Sequence, residues 1–323
     1  MKAISQSNYG SIDVLSLQEV DKPVVTDKGV LVKVQAASVN SGDWHLMRGT
    51  PFLSRLMFGG ILKPKIKTLG MDVAGRVEAI GKDVTQFQIN DEVFGDISGC
   101  GFGAFAEYVC ADESALVLKP STTSFEQAAT VPAAALAALQ GLRDLGQIQS
   151  GQKVLINGAS GGVGSFAVQI AKAFGAEVTA LCSTKKMAMV QSLGADHVID
   201  YTQVDVTKSG ERYNLILDAA AYRSVFHYLP ILSSYGSYVL VGGSIMRLFQ
   251  IMFFGALISK ISRRNVKCLS SKPNQKDLTI LSNLLESGKI SPFISQRCNL
   301  SEVPTAISAL EQRQVMGKIA ITM

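Results

Sequence analysis

The chemistry of this chain is first suggested by a glycine cluster that follows a short apolar segment. Four residues with strand character, Val154–Asn157, lead into a glycine-rich turn, and apolar residues then recur at helical spacing from Val163 to Phe174. A strand–turn–helix lets the backbone approach a pyrophosphate closely, and the helix N-terminus offers that anion free N–H groups. The cluster therefore predicts a dinucleotide site formed by Ser160, Gly161, Gly162, Val163 and Gly164.

The match to the G-x-G-x-x-G pattern is incomplete, because Ala159 occupies the first position. A glycine-rich turn without a ligand is the alternative interpretation. The flanking strand and helix favour nucleotide binding, since the motif requires this context.

The end of the second strand indicates which dinucleotide would bind. An NAD site places an acid roughly 20 residues past the glycines, but here Leu181 and Cys182 end the strand and no acid follows directly. The next side chains carry hydroxyl and ammonium groups, which suit a 2′-phosphate. These side chains are Ser183, Thr184, Lys185 and Lys186. The alternative is that the two lysines are merely solvated at the start of a helix.

Length and composition predict a soluble globular protein with two domains. The chain has 323 residues, of which 47% are hydrophobic and 18% charged. The net charge is only +5 and no basic stripe is present, which argues against a nucleic-acid partner. The five cysteines are widely spaced, with neither a disulfide framework nor metal-ligand spacing. Without an apolar signal core near Met1, we expect a cytoplasmic or other reducing intracellular compartment.

The elements that must position these groups change in type along the chain. Residues 1 to about 122 are predicted to be β-rich, with strands at Val30–Val34, Val73–Ile80 and Phe105–Val109. A helix with a capping box begins near Ser124 and continues through an alanine-rich run that Pro132 interrupts. Strands and helices then alternate, which implies a parallel, doubly wound sheet. The predicted elements of this part are strands Lys153–Asn157, Glu177–Cys182, Tyr213–Asp218, Ser237–Val241 and Val266–Leu269, and helix Lys185–Leu193.

The last part of the chain is predicted to rejoin the first. A helix runs from about Gln275 to Ser287, and the final strand, Gly317–Thr322, has no helix after it. We expect this strand to return to the first domain.

With both parts in view, the whole chain resembles the medium-chain dehydrogenase/reductase superfamily, and within it the zinc-independent quinone oxidoreductase branch. The motifs that carry the resemblance are Asn40-Ser41-Gly42-Asp43, Gly70-Met71-Asp72-Val73-Ala74-Gly75, Asp91-Glu92-Val93-Phe94-Gly95 and Ala159-x-Gly161-Gly162-Val163-Gly164. The resemblance implies an α/β fold in two parts. A GroES-like β-barrel catalytic domain, residues 1–122 and 271–323, would surround a doubly wound Rossmann sheet, residues 123–270. It also implies a nicotinamide in the cleft and, commonly, a homodimer.

The resemblance further implies that no zinc is bound. Zinc-bearing relatives have a cysteine where Asn40 stands, a His-Glu pair where Met71 and Asp72 stand, and another cysteine within Pro132–Ala135. Catalytic zinc needs about three protein ligands of N, S or carboxylate type. Asp72 alone cannot supply them, so we expect no metal.

In the family, the loop that carries Asn40, Asp43 and His45 lies over the nicotinamide. Asn40 has an amide donor for a substrate oxygen on which negative charge develops. His45 titrates near neutral pH and could donate a proton, or it could only pack or hydrogen-bond. The resemblance therefore implies that these three residues form the catalytic set.

The family also extends the cofactor site. Relatives have a tyrosine near the 2′-phosphate at the position of Tyr201. Val241 and Gly242, at the end of a predicted strand, are assigned to the cofactor as well. Lys318 is interpreted as structural.

Residues 245–258 form a run that would be apolar nearly all round as a helix. The favoured interpretation is a segment buried against the cleft or against a dimer partner. The longest uncharged apolar run in this region, Leu248–Ser259, is too short to span a bilayer. Basic residues just beyond it, Arg263, Arg264 and Lys267, suit anionic headgroups. Peripheral membrane contact through residues 245–267 is therefore a second interpretation.

These features predict an NADPH-dependent reductase that transfers hydride to small electrophiles, either quinones or α,β-unsaturated carbonyls. A zinc-independent alcohol or ketone oxidoreductase is one alternative. An NADPH-binding protein without enzymatic activity is the other.

Overall fold

The computed structural model of the chain describes residues 1–57 and 60–323. These residues form two compact units. Unit 1 comprises Met1–Ala133, Pro273–Gly288 and Pro292–Met323, and unit 2 comprises Ala134–Lys272 and Lys289–Ser291. The assignment of a catalytic and a dinucleotide-binding role to separate domains stays a prediction.

Unit 1 is built mainly around one mixed sheet. Its first elements are β1 (Lys2–Gln6), β2 (Leu15–Glu19), β3 (Gly29–Ser38), α1 (Ser41–Arg48), α2 (Phe52–Met57), β4 (Asp72–Ile80), β5 (Glu92–Asp96), β6 (Tyr108–Asp112), β7 (Leu116–Leu118) and α3 (Phe125–Ala129). The long strand β3 pairs antiparallel with both β4 and β6, and the sheet continues through β5 to β7. Val30, Val32 and Val34 of β3 are buried in one apolar core, which explains why this strand lies at the centre.

The next part of the chain alternates strands and helices. Its elements are α4 (Pro132–Gln140), β8 (Lys153–Asn157), α5 (Gly162–Ala173), β9 (Glu177–Cys182), α6 (Met187–Ser192), β10 (His197–Asp200), β11 (Tyr213–Asp218), α7 (Val225–Tyr228), β12 (Leu232–Leu240), α8 (Ile245–Ser262) and β13 (Asn265–Cys268). The six strands form a parallel sheet in the order β10-β9-β8-β11-β12-β13. The order reverses between β8 and β11, and ligands of such sheets bind at this switch point. The predicted doubly wound α/β sheet is therefore confirmed.

The chain ends with elements of unit 1, namely α9 (Gln275–Glu286), β14 (Ile294–Asn299), α10 (Val303–Glu311) and β15 (Lys318–Thr322). β15 pairs with β3, where Ala320 lies opposite Ser38, and β14 runs parallel to β15. The predicted return of the last strand to the first part of the chain is confirmed.

Several elements differ from the prediction for local reasons. The strand expected at Phe105–Val109 begins only at Tyr108. The predicted interruption at Pro132 is a complete break, since α3 ends at Ala129 and α4 begins at Pro132. β10 and β14 were not predicted, since the first is only four residues long and the second is largely polar.

α8 is not buried within its own chain, and its burial against a dimer partner stays a prediction. It has 18 residues with a mean hydropathy of 1.4, and only 17% of it is buried within the chain. By length and composition alone it could cross a membrane, so the expectation that no apolar segment is long enough is also wrong. The apolar residues go all round the helix, and the sequence pattern therefore carried no information about which side is covered.

Candidate functional site

The turn between β8 and α5 has the backbone geometry of a nucleotide-binding turn. Gly158 has a φ of +76° and makes the tight turn that the pattern assigns to the position of Ala159. A Cβ at Gly164 would lie 2.1 Å from the Gly158 carbonyl oxygen, so this glycine lets α5 pack onto the turn. At Gly161, the N-cap, the nearest atom to an added Cβ is 3.5 Å away. Open space thus lies before the helix, beside the buried Ser160.

The first turn of α5 supplies hydrogen-bond donors to that space. The first bond of the helical ladder runs from Ser165 N to the Gly161 carbonyl oxygen at 2.9 Å. Three N–H groups precede it and have no partner inside the helix, those of Gly162, Val163 and Gly164. Their partial positive charge adds to the helix dipole. This arrangement fits the pyrophosphate of a dinucleotide.

The predicted 2′-phosphate residues lie where β9 ends. Lys185 is exposed, whereas Lys186 is half-buried, and burial lowers the pKa of its ammonium group. Tyr201 follows the neighbouring strand β10, and its backbone N–H donates to the Cys182 carbonyl oxygen at 3.1 Å. Its ring is half exposed. The structure thus brings together Ser183, Thr184, Lys185, Lys186 and Tyr201.

An acid that sequence reasoning missed lies at the same strand end. Asp200 ends β10 and stands opposite Cys182 in the register of the parallel strands. It accepts a hydrogen bond from the Thr184 hydroxyl, and from the N–H and hydroxyl of Thr202 at 2.9 and 2.7 Å. These hydroxyl bonds lower the pKa of Asp200. Because protein donors reach both carboxylate oxygens, Asp200 holds the loop in place.

Val241 and Gly242 follow β12 and bond to the end of β11. Their N–H groups donate to the Asp218 carbonyl oxygen at 2.8 and 3.3 Å. The Asp218 carboxylate, also missed from the sequence, accepts bonds from the Tyr238 hydroxyl at 2.6 Å and the Asn157 amide at 2.8 Å. Burial raises its pKa. These contacts tie the ends of β8, β11 and β12 together beside the glycine turn.

In unit 1, Asn40 and Asp43 form the start of α1. Asn40 is the N-cap, and its N–H donates to Asp43 Oδ2 at 2.7 Å. The other oxygen of Asp43 accepts the N–H of Gly70 at 3.0 Å. Asp43 is fully buried, and burial raises its pKa to about 7. Both oxygens therefore hold backbone segments in position, and a catalytic role for Asp43 stays a prediction.

The side chain of Asn40 is held by a buried ion pair. Its Nδ2 donates to Asp72 Oδ2 at 2.8 Å and makes a longer contact of 3.4 Å with the Ser38 carbonyl oxygen. Lys318 Nζ donates to Asn40 Oδ1 at 2.5 Å and to the Val39 carbonyl oxygen at 3.2 Å. The ammonium nitrogen is 3.5 Å from Asp72 Oδ2. The 3.4 Å contact is long, so the second amide proton is the more weakly bonded of the two.

Asp72 is surrounded by hydrogen-bond donors. Besides the amide and ammonium groups, it accepts the Ser38 hydroxyl and the Ala133 N–H, each at 2.8 Å. Asp96 stands opposite it in β5, and burial raises the Asp96 pKa to about 6. Residues 1–57 and 60–323 contain no group of three or more His, Cys, Asp or Glu that could hold a metal ion. This site does not fit zinc, although freedom from zinc stays a prediction.

His45 lies on α1 with its ring stacked on Trp44, at a centroid distance of 3.6 Å. Its Nδ1 is 2.8 Å from the Thr50 carbonyl oxygen, which requires a proton on Nδ1. Burial lowers the pKa of the ring. At neutral pH the imidazole is therefore mainly neutral, with Nε2 as an acceptor.

Two segments match described domain families. Residues 26–121 match the alcohol dehydrogenase GroES-like domain, and residues 193–321 match a family described as zinc-binding dehydrogenase. These segments carry β3 to β7 in unit 1 and the elements from β10 to β15.

Curated relatives match nearly the whole chain. The 2-methylene-furan-3-one reductase of Solanum lycopersicum is 33% identical over 99% of this chain and 79% of its own length. The chloroplast envelope quinone oxidoreductase homolog of Arabidopsis thaliana is 31% identical over 99% of this chain and 98% of its own. The chloroplastic NADPH-dependent alkenal/one oxidoreductase of the same plant is 31% identical over 99% of this chain and 79% of its own length.

Solved structures share the fold as well. The quinone oxidoreductase from Coxiella burnetii superposes with a TM-score of 0.89 and 30% identity, over 100% of this chain and 99% of that one. The domain matches, the relatives and this structure agree with the motifs and with the geometry of the glycine turn. The chain belongs to the medium-chain dehydrogenase/reductase superfamily, in its quinone oxidoreductase branch.

Proposed function

We propose that this protein is an NADPH-dependent reductase that transfers hydride to quinones or α,β-unsaturated carbonyls. The observation that carries the proposal is the Gly158–Gly164 turn. It lies where the strand order reverses, in a chain that aligns over 99% of its length with an NADPH-dependent alkenal/one oxidoreductase. The names of the related quinone oxidoreductases support the same class of electrophile.

NADPH is held by unit 2, and it supplies the hydride when bound. The N–H groups at the start of α5 bind the pyrophosphate, for which Gly161 leaves room. The ammonium groups of Lys185 and Lys186 bind the 2′-phosphate, with Ser183 and Tyr201 beside them. Thr184 acts mainly through Asp200, to which its hydroxyl is already donated.

Replacing Lys185 and Lys186 by glutamine is expected to weaken NADPH binding and to leave NADH binding nearly unchanged. Losing charge-assisted bonds should cost about 1–3 kcal/mol for NADPH alone. Dissociation constants for both cofactors, measured by fluorescence titration, test this. Lys289→Gln, an exposed lysine of the same unit, is the control. An equal loss for both cofactors would show that the two lysines only support the fold.

In unit 1, Asn40 is proposed to donate a hydrogen bond to the substrate oxygen as it becomes an enolate or phenolate. Lys318 and Asp72 fix which way the amide points, because one binds its oxygen and the other its nitrogen. The second amide proton, which makes only the long contact with Ser38, is the one that would bond the substrate oxygen while the amide keeps its orientation. This role requires no metal ion.

Asn40→Ala is expected to lower kcat by about 10²-fold, as for loss of one oxyanion donor. NADPH affinity should persist, since the cofactor residues lie on unit 2. The matched control is Asn299→Ala, which also removes a capping asparagine of unit 1. Steady-state rates with an enone, together with NADPH titration, give the result. Wild-type turnover in Asn40→Ala would remove this residue from the mechanism.

His45→Phe is expected to have a smaller effect than Asn40→Ala. If the imidazolium is the proton donor, wild-type activity should fall as the pH rises through a pKa below 6.5, because burial lowers that pKa. The variant should lack this fall. Coincident pH–rate profiles for the two proteins would leave solvent or a cofactor hydroxyl as the proton source.

The substrate class is tested with a panel of quinones, enals, enones and simple ketones, assayed with NADPH. Turnover of quinones or enones with slow ketone reduction is the expected result. Preferential ketone reduction would indicate the alcohol or ketone oxidoreductase alternative. Saturable NADPH binding without turnover of any electrophile would indicate a non-enzymatic nucleotide-binding protein.

The remaining assignments are proposals of the same kind. We propose residues 1–122 and 271–323 as the catalytic domain and residues 123–270 as the NADPH-binding domain. A homodimer, a peripheral membrane contact through residues 245–267, and a cytoplasmic or other reducing compartment are also expected. Relatives include chloroplastic and mitochondrial proteins, which supports an intracellular compartment without choosing one.

A further inference from the structure

Helix α8 presents a broad apolar surface that no other part of unit 2 covers. Its most exposed side chains form what we name the α8 face. They are Met246, Met252, Phe253, Phe254, Leu257 and Ile261, and each is more than half exposed. Phe253 and Ile261 are 71% and 75% exposed. Contiguous exposure of this kind, on one helix, is unusual for a soluble surface and marks an interaction site.

A groove deepens the α8 face on the side of α7. Its volume is about 270 Å³. It is lined by Phe226, Leu229, Gln250, Phe254, Leu257, Ile258, Ile261 and Ser262. Six of these eight side chains are apolar, so the groove suits hydrocarbon better than a polar ligand.

The stretch of chain that carries the α8 face has charge of one sign. No Asp or Glu occurs between Asp218 and Asp277, whereas this stretch contains eight basic residues. They are Arg223, Arg247, Lys260, Arg263, Arg264, Lys267, Lys272 and Lys276. Lys260 and Arg263 are exposed at the C-terminal end of α8. An anionic partner is complementary to this surface, whereas a second copy related by a two-fold axis would bring the same basic groups together.

The opposite side of α8 is fixed to the sheet. A Cβ at Gly255 would lie 3.2 Å from the Val266 carbonyl oxygen, and the Val266 N–H donates to the Ser259 hydroxyl at 2.9 Å. The helix joins the parallel strands β12 and β13 and ends at Arg263 in a left-handed conformation. It therefore cannot leave unit 2 to span a bilayer, but it can lie flat on one.

We propose that the α8 face docks unit 2 onto an anionic lipid bilayer. The apolar side chains enter the boundary between headgroups and acyl chains, and the groove beside α7 receives part of an acyl chain. Lys260 and Arg263 contact lipid phosphates. The other basic residues between Asp218 and Asp277 add to the electrostatic attraction to the bilayer. The inference goes beyond the reductase activity and does not depend on it.

Cosedimentation with vesicles tests the proposal. The full chain is mixed with sucrose-loaded vesicles of phosphatidylcholine alone, or of phosphatidylcholine with 30% phosphatidylserine. Binding to the anionic vesicles, weakening as salt rises, is the expected result. Phe253→Ser with Leu257→Ser should lower the partition coefficient at least tenfold. Lys260→Glu with Arg263→Asn, a charge change of −3, should lower it roughly a hundredfold, at about fivefold per charge.

The controls change exposed residues outside the α8 face. Val24→Ser with Leu62→Ser removes two side chains that are 85% and 90% exposed in unit 1, and Lys289→Glu reverses a lysine of unit 2. These control variants should bind vesicles as the wild type does. NADPH affinity is measured for every variant to show that it is folded. Equal binding to both vesicle types, no binding, or α8 variants that bind normally would each overturn the proposal. A wild-type dimer that becomes monomeric in Phe253→Ser with Leu257→Ser, without vesicle binding, would make this face a subunit interface instead.

Discussion

Gly161→Ala is expected to raise the dissociation constant for NADPH by at least about tenfold while unit 2 stays folded. The backbone at Gly161 is extended, with φ of −85°, and the nearest atom to the new Cβ is 3.5 Å away, so alanine fits the protein itself. The methyl group would instead occupy the open space before α5, where the pyrophosphate must approach the backbone. Urea unfolding should show a change within about 1 kcal/mol. NADPH titration measures the binding loss.

Gly164→Ala is the matched control, and it is expected to destabilise the fold of unit 2. Its Cβ would lie 2.1 Å from the Gly158 carbonyl oxygen and 2.7 Å from Ala159 Cα, both backbone atoms. Helix α5 would have to move away from the turn, which should lower the free energy of unfolding by about 3 kcal/mol or more. If Gly161→Ala instead bound NADPH as tightly as wild type, the turn would not be the pyrophosphate site.

Lys318→Met is expected to lower the free energy of unfolding at pH 7.5 by about 3–5 kcal/mol, because it removes one partner of a buried ion pair. The ammonium is buried between Asp72 and the nearby carboxyls of Asp43 and Asp96, and methionine has a similar volume without the charge. Asn40 would also lose the donor that orients its amide. Turnover should therefore fall in whatever fraction of the variant is folded.

The loss in Lys318→Met should shrink at pH 5. Burial raises the pKa of Asp43 to about 7 and that of Asp96 to about 6. A carboxyl with a raised folded pKa stabilises the fold while protonated, and this contribution disappears as the pH rises through the folded value. Removing the Lys318 ammonium raises the pKa values of Asp43 and Asp96 further. At pH 7.5 the variant therefore has buried carboxylates without a cationic partner, whereas at pH 5 these carboxyls are protonated and the destabilisation is smaller.

Urea unfolding at both pH values measures this difference. The control is Lys22→Met, which breaks an exposed pair with Glu78 and should cost less than about 1 kcal/mol at either pH. A loss in Lys318→Met that is the same at pH 5 and 7.5 would show that packing, and not charge, is the contribution of this lysine.

The glycine turn could be predicted from the sequence, because its strand, turn and helix lie within about twenty consecutive residues. The site at the end of β9 was predicted only in part, since its hydroxyl and lysine side chains were identified but Asp200 was not. Asp200 belongs to β10, a strand of four residues that local pattern did not reveal, and its place beside Cys182 depends on strand pairing. Asp218 lay at the end of a predicted strand, yet nothing local indicated that Tyr238 would donate to it.

The loop that carries Asn40 shows the same limit of sequence-based prediction more strongly. Asn40 and Lys318 are separated by 278 positions in the chain, and their hydrogen bond follows from the pairing of β15 with β3. Family resemblance identified Asn40, but only the fold shows that its amide is already bound on both sides. The sequence could not show that α8 lies uncovered by the rest of its chain, because an all-apolar helix has the same periodicity whether it faces a core or not.

The pairing of β15 with β3 has a consequence for synthesis. Unit 1 begins with the first residues to leave the ribosome, but its sheet gains β15 only after residues 318–322 have emerged. Unit 2 is nearly continuous in sequence and can fold while that sheet is still incomplete. Until then Asp72 lacks its ammonium partner and Asn40 lacks the donor to its carbonyl oxygen. A nascent chain would therefore complete its nucleotide-binding surface well before the loop that carries Asn40, and the interval between the two is when the exposed strands of unit 1 most need a chaperone.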